Sequence, residues 1–107
     1  MALRVPTLNV SVVDVTYKLR DSVEQQELFA FIKNVSETKE YKDVLGWTKE
    51  PLVSSDLIGE KRSSVVDLSA SICLNKNFIK LISWYDNETG YSNRMVDLIV
   101  HMAKINN

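Results

Sequence analysis

With 107 residues, 13 basic against 14 acidic side chains and a net charge of −1, the chain suffices for one small domain. It carries no electrostatic footprint for nucleic acid or an anionic membrane, and its apolar runs, such as Leu98-Ile99-Val100, fall far short of the ~20 residues needed to span a bilayer. A single cysteine excludes an internal disulfide and the start MALRVPTLN has no apolar leader, so a reducing compartment, the cytoplasm, is expected.

In chain order, Val13, Val15, Tyr17 and Leu19 are apolar at odd positions, while Val10 and Val12 give way to Asp14, Thr16 and Lys18 at even ones. This predicts a strand over 10–19, buried on both faces at first and on one later. Ser22 and Gln25 have capping-box spacing, and Leu28, Ile32 and Val35 with Phe29 form an apolar stripe, which predicts a helix over 23–35. The charged stretch 39–42 reads as a surface turn, 44–48 as a short strand bounded by Glu50-Pro51, and 53–62 as an ordered loop.

Next, Val66, Leu68, Ala70, Ile72 and Leu74 alternate with Asp67, Ser69, Ser71 and Cys73, the pattern of a strand with one buried face. Asn75-Lys76-Asn77 turns the chain and 78–85 returns it, so 64–85 is predicted to be a hairpin. In the final helix Met95, Leu98, Ile99 and Met102, flanked by Val96, Val100 and Ala103, form an apolar arc wider than a surface helix needs. It wants burial on more than one side and predicts a missing covering domain. The order β-α-β-β-β-α implies an α+β fold, a mainly antiparallel sheet with helices packed on it.

Chemistry concentrates where the last strand feeds the last helix through Asp86, Asn87 and Glu88. Such a junction holds its backbone at both ends and presents side chains to a crevice, which makes Asn87 a contact candidate. The alternative is that Asp86 and Asn87 only turn the chain and cap the helix, and spacing alone favours it. Cys73 and His101 invite pairing as a catalytic dyad. That pairing is rejected: Cys73 lies inside a predicted strand, where a thiol packs, and His101 stands near the end of the last helix, where it complements the macrodipole. One histidine and one cysteine cannot fill a zinc site, so no metal is expected. No G-x-G-x-x-G loop occurs.

The run SWYDNETGYSNR over 83–94 resembles the C-terminal signature of phosphorylating glyceraldehyde-3-phosphate dehydrogenases. RVPT from Arg4, SVVDVT from Ser11, VLGWT from Val44, VSSDLIG from Val53 and SSVVD from Ser63 agree in order and spacing, and only 21–42 departs freely. The resemblance implies that residues 1–107 form the C-terminal part of that enzyme's catalytic domain, a partial chain lacking the nucleotide-binding domain. The nucleophilic cysteine and base histidine of the family would lie upstream of Met1, so no residue here is assigned as catalytic and the isolated chain is expected to be inactive.

By the same resemblance Arg4 would bind substrate phosphate, which suits a planar guanidinium that can donate two hydrogen bonds at once. Asn87 would hydrogen-bond the nicotinamide carboxamide of NAD, and Tyr91 would lie near the same cofactor end as a secondary contact. Glyceraldehyde 3-phosphate and inorganic phosphate are the implied substrates, 1,3-bisphosphoglycerate the product, and a homotetramer the assembly. Lys76, Ser71 and Cys73 depart from family habit and bear on packing and assembly. A different reading is a free-standing α+β interaction or regulatory domain without chemistry. Such a domain should bury only one stripe of its last helix.

Overall fold

The computed structural model describes residues 1–106. Four strands, β1 (Ser11–Lys18), β2 (Leu45–Thr48), β3 (Ser64–Asn75) and β4 (Phe78–Tyr85), form one sheet in the order β1-β4-β3-β2. The β1–β4 and β4–β3 pairings are antiparallel and β2 joins β3 in parallel, so the α+β class and the mainly antiparallel sheet hold. Two helices, α1 (Gln25–Ser36) and α2 (Thr89–Ile105), and a 3-10 turn over Ser54–Leu57 complete the elements.

Adjacent residues Val65 and Val66 of β3 point to opposite faces, and each face carries its own core. On one, α1 contributes Ile32, Leu28 and Phe29 against Val66, Leu68, Leu45, Trp47 and Leu81. On the other, Val10, Leu57 and Val65 pack with Leu52 and Trp84. The capping box of α1 lies two residues later than expected: the Glu24 N–H donates to Glu27 Oε2 at 3.3 Å. Gln25 is occupied elsewhere, its Oε1 accepting the Cys73 N–H at 3.0 Å. The two-residue hairpin tip Lys76-Asn77 is fixed by the segment after β1, because the Leu19 and Val23 N–H groups donate to the carbonyls of Asn77 and Lys76.

Two expectations are corrected. β1 is an edge strand bonded only to β4, and Val12, Val13 and Tyr17 remain exposed; burial on both faces does not occur because α1 packs over β2 and β3 and not over β1. In β3 the alternation breaks, the register jumping from Asp67–Ile82 to Ile72–Lys80. Asp67 causes the break: its Oδ1 accepts from the Ser69 and Ala70 N–H groups at 3.0 Å each and from Ser69 Oγ at 2.6 Å, wrapping the chain into a bulge. Beyond it Ser71 is buried while Ile72 and Leu74 face outward.

The apolar arc of α2 is the uncovered face. Only Gly90 of this helix is buried, and Met95, Leu98, Ile99 and Met102 are 44–62% exposed. α1 packs on the sheet; α2 stands off it. Its attachment is its first turn, where a Cβ on Gly90 would lie 3.2 Å from the Arg62 carbonyl, and Arg94, whose Nη1 donates to the Asp43 carbonyl at 2.9 Å. The absent side chain at Gly90 is what admits this close approach of the helix to the segment leading into β3.

Candidate functional site

The β4–α2 junction is organised around Asp86, the most deeply buried side chain, at 1% exposure. Its carboxylate oxygens accept four hydrogen bonds. Oδ1 takes the Glu88 and Thr89 N–H groups at 2.9 and 2.8 Å and Asn9 Nδ2 at 2.8 Å; Oδ2 takes the Gly59 N–H at 2.8 Å. The Asp86 carbonyl also accepts the Gly90 N–H at 3.0 Å. A residue whose carbonyl receives an i+4 bond while its side chain receives the i+2 and i+3 amides acts as the helix N-cap. By hydrogen bonding α2 therefore begins at Asp86.

Burial alone pushes the Asp86 carboxyl up, but the Thr89 and Gly59 amides, the Asn9 side chain and the Glu88 amide outweigh it. The net direction is far below the usual carboxylate range. Asp86 is thus a permanent anion joining three segments. Gly59, at φ +87, supplies one of them from a backbone conformation that other residues rarely adopt.

Asn87 follows on this anchored turn and is exposed. Its Oδ1 accepts from Ser11 Oγ at 3.3 Å, and its NH2 has no partner among the described residues. Between Asn9, which holds Asp86, and Ser11, which holds Asn87, stands Val10, buried and at φ 76. A β-branched residue in the left-handed region is a genuine backbone outlier, sustained here by the Val10–Leu57–Val65 cluster and by the Val10 N–H donating to Asn9 Oδ1 at 2.7 Å.

Tyr91 lies on the first turn of α2 and is 69% exposed. Arg4 is exposed, with no hydrogen bond or ion pair among the described residues. Asn9 is five residue steps along the chain from Arg4, so the Arg4 backbone lies within about 18 Å of the residue that touches Asp86. Asn87 and Tyr91 share the start of one helix, while Arg4 is tethered to that junction but not packed into it.

Cys73 is half-buried, and burial together with the nearby Glu24 charge pushes its thiol up, opposite to the shift that activates a nucleophile. His101 is exposed on α2. Among the described residues no group of three or more His, Cys, Asp or Glu could hold a metal, and no helix is long and apolar enough to cross a membrane. Asn9, Val10, Ser11 and Gly59 escaped sequence reasoning as site residues. For Gly59 the signal was a glycine after an apolar residue in a loop; for Val10, inside an apparently regular strand, there was none.

Residues 1–87 match the family described as glyceraldehyde 3-phosphate dehydrogenase, C-terminal domain. Among curated relatives, the cytosolic glyceraldehyde-3-phosphate dehydrogenase of Antirrhinum majus is 53% identical over 105 residues, covering 98% of this chain and 31% of its own length. The glyceraldehyde-3-phosphate dehydrogenase of Atriplex nummularia is 54% identical over 104 residues, covering 97% of this chain and 29% of its own. That of Taxus baccata, also named cytosolic, is 57% identical over 102 residues, 95% of this chain and 30% of its own length. The chain therefore spans under a third of the length of these relatives. A match running from Met1 through Asn87, across both core clusters and the Asp86 junction, assigns the chain to the glyceraldehyde 3-phosphate dehydrogenase C-terminal domain family.

Proposed function

We propose that residues 1–107 are the C-terminal part of the catalytic domain of an NAD-dependent, phosphorylating glyceraldehyde-3-phosphate dehydrogenase acting in the cytoplasm. The observation that carries this reading is the junction in a chain of this family: Asn87 is exposed at the start of α2, on the turn that Asp86 anchors, with its amide NH2 free to meet a ligand. NAD, when bound, supplies the hydride acceptor. Asn87 holds the nicotinamide carboxamide and Tyr91 borders the same end, while Arg4 donates to the phosphate of glyceraldehyde 3-phosphate or to inorganic phosphate. The residues fit one end of the dinucleotide only, since the sequence has no glycine-rich phosphate loop.

The reacting thiol and its base belong, on this reading, to the part of the relatives' length that this chain does not span. The shifted-up thiol of Cys73 supports that division, and so does the open apolar face of α2, which suits cover by a nucleotide-binding half and assembly into a homotetramer. A free-standing domain would leave no such face. Two preparations test the proposal by absorbance of NADH with glyceraldehyde 3-phosphate, NAD and phosphate. The chain alone should give no NADH above the blank. Joined to the upstream two thirds of the Antirrhinum majus enzyme it should turn over, and Arg4→Ala in that subunit should lower kcat/KM for glyceraldehyde 3-phosphate at least about tenfold. Turnover by the chain alone, or an Arg4→Ala subunit with unchanged kinetics, refutes it.

A further inference from the structure

Resting on the reading of Arg4 as a phosphate ligand, we infer that Asn9 is a positioning residue that fixes the course of the N-terminal arm carrying Arg4. Every residue from Met1 to Leu8 is exposed. Among the described residues the arm makes one hydrogen bond, within itself, from the Thr7 N–H to the Val5 carbonyl at 2.9 Å. Asn9 is the first residue from the N-terminus to bond outside the arm, so the direction in which the arm leaves the sheet is set at Asn9 and Val10.

Both ends of the Asn9 amide are committed, and their senses follow from the partners. Nδ2 donates to Asp86 Oδ1 at 2.8 Å, and a carboxylate held as an anion only accepts. Oδ1 accepts the Val10 N–H at 2.7 Å, a group that only donates. Asp86 is 1% exposed and held by three backbone amides besides Asn9, so the arm is tied to a fixed post. Carried one step beyond Ser11 opposite Tyr85, the β1–β4 register would set Val10 opposite Asp86 and run the arm alongside the junction. The left-handed backbone at Val10, φ 76, turns the chain off that line. That conformation is unfavourable for a β-branched residue, and the two Asn9 bonds help to hold it. Without them the arm takes more than one course, and the need to order Arg4 again on binding weakens the hold on phosphate.

The test uses the complete subunit described above and its KM values for glyceraldehyde 3-phosphate, inorganic phosphate and NAD. Asn9→Ala should raise the first two about tenfold, the scale of one hydrogen bond to a charged group, and that for NAD less than about twofold. In an Arg4→Ala background Asn9→Ala should add no further loss, because Asn9 acts through Arg4. A Gly-Gly insertion between Leu8 and Asn9 leaves the Asp86 post intact and uncouples the arm from it. It should raise the same two KM values at an unchanged thermal midpoint, and it decides the matter if Asn9→Ala does not fold.

If Arg4→Ala raises the two KM values while Asn9→Ala or the insertion leaves them unchanged, the role of Asn9 is overturned and the phosphate reading stands. If Arg4→Ala itself has no effect, that reading falls and takes the inference with it. An equal loss from Asn9→Ala with and without Arg4, or a rise for NAD as large as for the other two, means that Asn9 serves the junction at large and also overturns the inference.

Discussion

At the scale of single residues, Asp86 does more for this molecule than the candidate ligand contact beside it. Removing its carboxylate in Asp86→Ala takes the acceptor from the Gly59, Glu88 and Thr89 amides, each lost hydrogen bond to the charged group costing about 1–3 kcal/mol. Asp86→Asn is no remedy, because an NH2 must then face an N–H whichever way the amide is turned. Both variants should unfold at lower urea, the alanine having lost about 3 kcal/mol or more of stability. The pH dependence follows from the sign of the shift. A carboxyl held below its unfolded value of about 3.9 contributes stability that is complete above that pH and is lost as pH falls below it. Urea midpoints between about pH 2 and 5 should fall with acidity in the parent chain, and more shallowly in Asp86→Asn.

Val10 offers a second test at this scale. Val10→Ala removes buried methyls and keeps the unfavourable φ, whereas Val10→Gly removes the side chain and the strain together. Glycine is ordinarily about 1 kcal/mol worse than alanine in regular structure. Here the order should reverse, with Val10→Gly the more stable of the two in denaturant unfolding. Equal or inverted stabilities would mean that the left-handed conformation costs nothing.

At the scale of elements, the order and approximate bounds of every strand and helix were legible, because each apolar run has a clear period and a turn signal at its ends. The β3–β4 hairpin was legible for the same reason. What the pattern could not disclose was the bulge, since Asp67, Ser69 and Ser71 look like the polar face of a regular strand until their hydrogen bonds are seen. The Ser71 hydroxyl donates to the Asp67 carbonyl at 2.6 Å and accepts the Ile82 N–H at 3.0 Å, standing in for the ladder bond that the bulge removes. Ser71→Ala should therefore cost about 1–2 kcal/mol. It should also raise hydrogen exchange selectively at the Ile82 amide. Uniform protection across β4 in that variant would show that water replaces the hydroxyl without penalty. The β4–α2 junction was legible as a candidate site from its polar residues between strand and helix, and Asn87 and Arg4 are proposed as contacts from the motifs they stand in, but the Asn9 and Ser11 contacts with the junction go with a backbone kink at Val10 that no residue in the stretch announces.

Over the whole molecule, the measures of size agree that the surface is not closed. A compact chain of this length has a radius of gyration near 13 Å; this one has 15.6 Å. A monomer of 12.2 kDa is expected to expose roughly 6,100 Å², whereas 7989 Å² is exposed here. The excess is as large as a stable protein interface and much of it is apolar: Leu98, Ile99, Val100, Met102 and Ile105 of α2 are each at least 46% exposed. Such a face should drive association when nothing covers it. The chain alone should bind an apolar-surface dye and sediment as a species whose mass rises over an about tenfold range of concentration. Replacing Leu98, Ile99 and Met102 by glutamine should abolish both effects while leaving the unfolding midpoint of the sheet nearly unchanged, because these side chains touch neither core cluster. Joining the upstream portion of a relative should abolish the dye binding and the drift of mass with concentration as well, leaving one fixed assembly with the apolar residues intact. A parent chain that stays monomeric and dye-free would instead mean that α2 folds back onto the sheet, and the open geometry of the helix would have to be abandoned.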